Sequence, residues 1–331
     1  MAFNLSLLGA SGGGGIAYWL ATLGGASGET GKGIVCDSSN NVYGFGETYS
    51  TGAGSRDFLL SKRDPEGSIV WQRSLGGAGG EEGNDLAIDT SGNLYCVGRT
   101  DSAGAGSSDF LLAKYNSSGT IQWQRILGGS DNDTAYGIAL DSASNVYLSG
   151  YTFSQGAGSA DFVIAKYNSS GTIQWQRTLG ESNFASAHDV AVDSSDNVYV
   201  LGRGDGQEFI LAKYDSSGTI QFQRSLGAAS ERGFGITIDS QGSLLLIGLS
   251  ESGASGEMLI AKLPSDGSLT GTYNLNGVNI VYQGSSLTAA TSTLTDATST
   301  LTSATSTLTA ATSTLTDSSS SLTSHFVEIP A

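Results

Sequence analysis

The sequence predicts an all-β fold built from five copies of one unit, and three observations support this prediction. Glycine accounts for 48 of the 331 residues and proline for only 3, which suits short strands joined by tight turns. A bulky aromatic recurs with spacings of 52, 52, 52 and 47 residues, at Trp19, Trp71, Trp123, Trp175 and Phe222. An aspartate recurs in step with it, at Asp37, Asp89, Asp141, Asp193 and Asp239. Internal periods of this length indicate a repeat architecture.

Each unit contains four short stretches rich in β-branched and aromatic residues, bounded by Gly, Ser, Asn or Asp turns. In the third unit they read GIALD, NVYLSGYT, DFVIAKY and TIQWQRTLG. Four consecutive antiparallel strands form a meander that cannot cover both of its own faces, so neighbouring units have to pack against one another. Radial packing of such sheets gives a β-propeller. We therefore predict a five-bladed β-propeller of four-stranded blades over residues 18–283.

The strand type that carries the recurrent aromatic occurs six times, because a divergent copy at 269–275 follows the five clear ones. We predict that the first copy, YWLATLG, completes the last blade and so closes the ring. The alternative is that residues 269–275 complete it and the N-terminal copy is left over.

The repeat pattern resembles a known family. The motif GIAxDSxxNVYxxGxT followed by DFxxAKYxSSGTIQWQR is similar to the SBBP β-propeller repeat, over roughly residues 18–275. The resemblance implies the blade fold and leaves function open, since propellers host lectins, hydrolases and docking platforms alike.

Polar residues that occur once per unit are expected to be part of the scaffold. We expect the repeated basic residues to meet the acids that begin the neighbouring strand type, such as Asp57, or to lie along the sheet. They are Lys62, Lys114, Lys166, Lys213, Lys262, Arg73, Arg125, Arg177 and Arg224. Asp141 and its counterparts suit a hairpin turn of the Asx type. A calcium ion at one of these acidic loops is left open.

Charge and motifs exclude several classes of function. The 15 Lys and Arg stand against 31 Asp and Glu, giving a formal net charge of -16, which repels nucleic acid and anionic lipid. No run reaches the length of a membrane span, so no membrane insertion is expected. The chain has only His188 and His325 and lacks GxSxG, HExxH and phosphate-loop motifs. We therefore predict no catalytic residue, no cofactor, no metal and no enzymatic activity.

Variable loops collect at one end of the predicted propeller, because strand direction alternates within each unit. This rim is the expected ligand-binding surface. Its candidate residues are Glu81, Asp131, Asp133, Tyr136, Asn183, Phe184, His188, Arg232 and Phe234. Aromatic rings flanked by Asp and Asn suit a glycan or a protein edge.

Residues 284–324 differ in character from the repeats. Leucines at 287, 294, 301, 308, 315 and 322 keep a seven-residue period, and Ala290, Ala297, Ala304 and Ala311 follow the first four at i+3. This pattern predicts a helical coiled-coil stalk that associates through residues 287–322, with a trimer favoured. A strand would place every second leucine on the opposite face. A disordered Ser/Thr linker is the alternative, and residues 325–331 form a short tail.

The leading functional prediction is a virion structural protein, a bacteriophage tail-fibre, tail-tip or surface-appendage component that recognises host glycan. The opening MAFNLSLLGASGGGG is similar to the starts of phage structural proteins and shows no signal peptide. Residues 1–17 are then a glycine-rich arm that docks other virion subunits. The alternatives are a cell-surface or secreted β-propeller adhesin and, after it, a propeller glycoside hydrolase.

Overall fold

The computed structural model describes residues 19, 21–156, 159–180, 182–204, 208–227, 231–250, 256–275, 278–285, 288–291, 295–298, 302–305 and 309–312. Every helix or strand assigned within these ranges is a β-strand. The predicted arm at 1–17 and the tail at 325–331 lie outside the described residues.

Successive units form successive antiparallel sheets, which gives the propeller-like fold expected from the repeats. After β1 (Ala21–Gly24), the first sheet contains β2 (Glu29–Cys36), β3 (Val42–Thr48), β4 (Asp57–Arg63) and β5 (Ile69–Gly76). The second contains β6 (Glu81–Ile88), β7 (Leu94–Thr100), β8 (Asp109–Tyr115) and β9 (Ile121–Gly128). The third contains β10 (Asp133–Leu140), β11 (Val146–Thr152), β12 (Asp161–Tyr167) and β13 (Ile173–Gly180). The fourth contains β14 (Ser186–Val192), β15 (Val198–Arg203), β16 (Phe209–Tyr214) and β17 (Ile220–Gly227), and the fifth contains β18 (Glu231–Ile238), β19 (Leu244–Ser250) and β20 (Glu257–Leu263).

The hydrophobic core lies between neighbouring sheets. The first strand of each unit packs against the first strand of the next, from β2 through β6, β10 and β14 to β18. Alternate residues of the middle strands fill the space between sheets, as strand geometry requires. Four of them are fully buried phenylalanines at one repeated position, Phe58, Phe110, Phe162 and Phe209.

A latch between neighbouring units explains why the aromatic slot repeats. Trp123 lies over Gly171 of the next unit and donates from its indole Nε1 to the Ser169 carbonyl at 3.3 Å. Arg125 donates from Nε to the Gly171 carbonyl at 2.6 Å, and its guanidinium lies 5.5 Å from the Trp123 ring centroid. A ring lies over the corresponding glycine at the other junctions, with Trp19, Trp71, Trp175 and Phe222 as the ring. Phe222 has no indole N–H to donate, and at the Trp19 junction Arg63 supplies the guanidinium that bonds the glycine carbonyl. A repeated residue here therefore serves the interface between units.

The repeated aspartates hold the first hairpin of each unit. Asp141 Oδ1 accepts backbone N–H groups of Ala143 and Asn145, and Oδ2 accepts the Asn145 side chain and the Tyr147 hydroxyl. This is the predicted Asx-type turn. Three of the repeated lysines meet these turn aspartates rather than the strand-initial acids that we expected, for example Lys166 Nζ to Asp141 Oδ2 at 3.5 Å. Lys114 and Lys213 donate to backbone carbonyls of the next unit.

The prediction of a helical stalk is wrong for the described part of 284–324. The chain there forms β23 (Thr288–Thr291), β24 (Thr295–Thr298), β25 (Thr302–Thr305) and β26 (Thr309–Thr312), preceded by the hairpin β21 (Gly271–Leu275) and β22 (Val278–Gly284). β22 to β25 pair with β17, β13, β9 and β5 in turn, and β26 pairs with β1.

The seven-residue period matches the step from one unit to the next. Gly227, Gly180, Gly128, Gly76 and Gly24 pair with Val281, Thr288, Thr295, Thr302 and Thr309. Each heptad from 288 to 312 thus contributes one four-residue strand to the outer edge of one unit. Threonine is β-branched and favours strands, and the open edge of each sheet supplies the hydrogen-bonding partner that an isolated segment lacks.

Neither predicted closure is found among the described strands. β1 pairs with β26, and β21 pairs with β22, so neither joins the fifth sheet. The fifth sheet is described with the three strands β18, β19 and β20. The N-terminal copy packs on the first unit in the same way as β5 packs on the second. Trp19 lies over Gly67 and donates to the Pro65 carbonyl, as Trp71 of β5 lies over Gly119.

Candidate functional site

A β-bulge in the first strand of every unit creates a variable position. The pairing register shifts there in all five units, for example between Ala135 and Gly137 and between Ala187 and Asp189. A bulge re-aims a side chain and interrupts the ladder. The bulged residues are Lys32, Asn84, Tyr136, His188 and Phe234. The last three are ring side chains of consecutive units.

These three rings contact one another in sequence. Tyr136 meets His188 edge to face, with centroids 5.5 Å apart, and His188 stacks on Phe234 at 5.6 Å with an interplanar angle of 6°. Tyr136 also contacts Tyr151, at 5.7 Å, near the end of β11. Aromatic pairs at such separations stabilise each other and hold a fixed geometry.

Tyr151 extends the contacts to two further phenylalanines. Its centroid lies 5.5 Å from that of Phe153 and 5.8 Å from that of Phe184, which themselves are 6.0 Å apart. The Arg203 guanidinium lies 5.9 Å from the Phe184 ring. We call the six side chains the aromatic row; they are Phe153, Tyr151, Phe184, Tyr136, His188 and Phe234.

Burial and neighbouring charges keep the middle of the row neutral. Burial lowers the pKa of His188, and the positive charges of Arg203 and Arg232 lower it further, against a hydrogen bond to Gly233 that raises it. His188 Nε2 lies 2.8 Å from the Ser186 hydroxyl. Burial, followed by Tyr151, raises the pKa of Tyr136. Above the pKa of its histidine the row is therefore an uncharged aromatic surface edged by guanidinium groups.

An ion-pair ladder precedes the row on the first two units. The Arg56 guanidinium lies 3.6 Å from the Glu47 carboxylate and 3.2 Å from the Glu82 carboxylate, measured between nitrogen and oxygen. The Arg99 guanidinium lies 3.3 Å from Glu82 and 4.0 Å from Asp101. Arg99 and Tyr151 occupy the same place in their units, as do Asn84 and Tyr136. The bulge position therefore holds Lys32 and Asn84 on the first two units and a ring side chain on each of the next three.

Four of the predicted rim residues belong to the row, namely Tyr136, Phe184, His188 and Phe234, and Arg232 acts on it through its charge. Asp131 and Asn183 are exposed and lie in the turns that precede β10 and β14. Glu81 and Asp133 are fully buried, which removes them from any ligand-facing set. Glu81 accepts Gly77 N–H and the Thr100 hydroxyl, and Asp133 accepts Gly129 N–H and the Ser154 hydroxyl.

Sequence reasoning missed Tyr151, Phe153 and Arg203. The signal that could have found two of them is the sixth position of the second strand, which changes from unit to unit although the residue before it is always glycine. It reads Glu47, Arg99, Tyr151, Arg203 and Leu249.

Sequence reasoning also missed two partly buried carboxyl groups next to the bulges, Asp85 and Asp189. Asp85 Oδ2 accepts Ile138 N–H at 3.2 Å, and Asp189 Oδ2 accepts Ile236 N–H at 2.8 Å, so each ties its unit to the next. Burial and then the charge of Asp189 raise the pKa of Asp85 to about 7, and burial raises that of Asp189 to about 6. Gly33, Gly137 and Gly235 fill the same position in the other units.

The repeated turn aspartates are occupied by the donors of their own turns. Within the described ranges, no group of three or more His, Cys, Asp or Glu side chains is placed to hold a metal ion. The same part of the chain contains no helix with the length and apolar character needed to cross a bilayer.

Sequence comparison supports the repeat type. The model of the SBBP family, described as a β-propeller repeat, matches residues 70–104 and 122–154. The regulatory protein FlaEY of Caulobacter vibrioides is 25% identical over 179 residues, which are 46% of this chain and 19% of that protein. An uncharacterized WD repeat-containing protein, L264, of Acanthamoeba polyphaga mimivirus is 27% identical over 113 residues, or 29% of this chain and 8% of that protein. The chain thus spans less than a fifth of either relative.

Structural comparison returns distant likenesses. Virginiamycin B lyase from Staphylococcus aureus, in a catalytically inactive form with quinupristin, has a TM-score of 0.48 at 13% identity, covering 85% of this chain and 88% of that one. A GH43 endo-arabinanase from Bacillus licheniformis has a TM-score of 0.29 at 13% identity, covering 70% and 92%. Likenesses at these scores carry no argument about activity.

Proposed function

We propose that the chain is a non-enzymatic recognition protein that binds a carbohydrate on the aromatic row. The observation that carries this proposal is the continuous contact of six ring side chains across three consecutive units, Phe153 to Phe234. Binding sites for small molecules combine aromatic walls with a few polar groups that fix orientation. Sugar rings present apolar C–H faces and hydroxyl edges, which suit aromatic rings bordered by the guanidinium groups of Arg203 and Arg232.

The row is held in place before any ligand arrives. Its outer members are accessible, with Phe234 49% and Phe153 39% exposed. The inner members are half-buried and packed on one another. Side chains that are already ordered lose little entropy on binding, which favours recognition of a weakly hydrophobic ligand.

The setting that we propose is a bacteriophage particle, as part of a tail fibre, tail tip or surface appendage. A rigid repeated scaffold with a glycine-rich arm at residues 1–17 suits such a subunit. Mass spectrometry of purified particles tests the setting separately from the ligand. Finding the protein on bacterial surfaces and not in particles would favour the adhesin alternative.

A glycan array tests the ligand class. We expect Phe234→Ala to lower the affinity for the bound glycan about tenfold or more, since stacking and desolvated contacts of an interface aromatic are worth over 1 kcal/mol. Val70→Ala is the matched control, because Val70 is also an exposed apolar residue on a strand but lies on β5, away from the row. Binding that survives Phe234→Ala unchanged would contradict the proposed site. Release of shortened products from the bound glycan would contradict the proposal that the protein is not an enzyme.

A further inference from the structure

The two ends of the repeat array carry complementary parts of one sheet. The fifth unit has the first three strands of a unit, β18, β19 and β20, and no strand in the described part of the chain pairs with the far edge of β20. The N-terminal strand β1 has the fourth-strand position with its outer partner β26, and no described strand pairs with its other edge. Unpaired strand edges are templates for pairing with another chain.

The sheet faces at the two ends are also uncovered. Ile34 of β2 is 74% exposed, whereas its counterparts Leu86, Ile138, Val190 and Ile236 are buried against the preceding unit. In the fifth unit, Met258 is 69% and Ile260 64% exposed. Their counterparts in the first four units are buried. The leading face of the first unit and the trailing face of the fifth are thus the two halves of the interface that repeats inside the array.

We infer that copies of this chain join head to tail, with β20 of one copy pairing with β1 of the next. The occupant is a second copy because the internal junctions already show what covers such faces, namely the matching face of the same repeat. Within one chain, the described strands β20 and β1 belong to separate sheets. A heterologous contact of this kind builds a larger ring or an open filament.

The register of the junction follows from the complete units. Phe110 pairs with Leu127, and Leu111 pairs with Ile126. The corresponding positions are Met258 and Leu259 in β20 and Leu23 and Thr22 in β1. Met258 of one copy should therefore lie opposite Leu23 of the next, and Leu259 opposite Thr22.

Disulfide trapping tests this register. Each variant also carries Cys36→Ser, because Cys36 is an exposed free thiol, while Cys96 is buried. We mix a Leu23→Cys chain with a Met258→Cys chain under mild oxidation and expect a covalent dimer containing one chain of each kind. Thr22→Cys replaces Leu23→Cys as the control, since a neighbouring strand residue points to the opposite face and should cross-link far less.

A chain carrying both Leu23→Cys and Met258→Cys distinguishes pairing of β20 with β1 of another copy from pairing of the two strands within one chain. We expect a ladder of covalent multimers. A disulfide found only at the mass of one chain would mean that the ring closes on itself and would overturn the inference, as would the absence of any cross-link in variants that keep the circular dichroism of the wild type.

Light scattering gives an independent measurement on the unmodified protein. We expect mass above one chain for the wild type, a fall to one chain for Ile34→Asp, and no fall for the control Val70→Asp, since Val70 is exposed on the outer strand β5. A wild type that stays at the mass of one chain up to the highest soluble concentration would overturn head-to-tail joining.

Discussion

Replacing Gly171 with alanine should destabilise the protein much more than the same change at Gly242. Both glycines have positive φ, +79° at Gly171 and +82° at Gly242, and both close a tight turn between strands. A Cβ at Gly171 would meet three atoms of the Trp123 indole at 2.8 to 3.0 Å, whereas nothing lies within 4 Å of a Cβ at Gly242. The two variants therefore share the backbone cost and differ in the contact.

The magnitudes follow from these two terms. Alanine in the left-handed region costs about 1 kcal/mol, which is the whole expected loss for Gly242→Ala. Displacing a packed ring adds about 1–3 kcal/mol for Gly171→Ala, giving about 2–4 kcal/mol in all. The repeats support the distinction, because Asn40, Ser144 and Asp196 adopt φ near +60° at the position of Gly242. The position of Gly171 is glycine in all five units.

Urea unfolding, followed by circular dichroism and tryptophan fluorescence, measures both losses. Adding Trp123→Ala to Gly171→Ala should cost less than the sum of the two single changes, because the ring that clashes is then gone. Equal losses for Gly171→Ala and Gly242→Ala, or strict additivity in the double variant, would refute the latch as the reason for this glycine.

Three further predictions concern other parts of the fold. Asp85 has a folded pKa of about 7 against an ordinary 3.8, so the native state binds this proton more tightly and stability from this group falls as pH rises from about 4 to about 7. Urea unfolding at several pH values measures the decrease of the free energy of unfolding between about pH 4 and about pH 7, and Asp85→Asn should make that decrease smaller by up to about 4 kcal/mol. If the free energy of unfolding depends on pH in the same way in Asp85→Asn and in the exposed control Asp131→Asn, the raised pKa of Asp85 is contradicted. Arg125→Met keeps an apolar stem over Trp123 but loses the hydrogen bond to the Gly171 carbonyl. Thermal unfolding should show that this change lowers the free energy of unfolding by about 2 kcal/mol. The control Gln122→Met, at an exposed position of the same strand, should not lower it. Ending the chain after Ser285 removes β23 to β26 and uncovers the edges of β13, β9 and β5, so calorimetry should show a lower unfolding temperature, whereas a separate stalk could be removed without effect.

The candidate site was predictable only in part. Tyr136, Phe184, His188 and Phe234 differ from the repeat within variable segments, which marked them for a rim. Glu81 and Asp133 looked like loop acids, but each begins a first strand and accepts hydrogen bonds from the turn before it. Tyr151 and Arg203 lie inside a regular strand, and their place beside the bulge depends on cross-strand pairing that no single segment encodes.

The C-terminal heptads show why a period alone can mislead. Leucine at every seventh residue fits a coiled-coil seam, yet seven residues also form one short strand and one step to the next unit. Leucines seven residues apart would lie on opposite faces only if the heptads formed one continuous strand. Here each heptad pairs with a different sheet, so the face of one strand places no constraint on the next.

The sequence by itself determined the repeat unit, its strands, its turns and the positions that recur in each unit, because strand alternation and turn chemistry are local. Only the tertiary structure decided which edge each C-terminal strand covers, which ring side chains form the aromatic row and which faces at the ends of the array stay bare. Those outcomes depend on the distance and rotation between packed sheets, and these arise from the interfaces of the whole array rather than from any one segment.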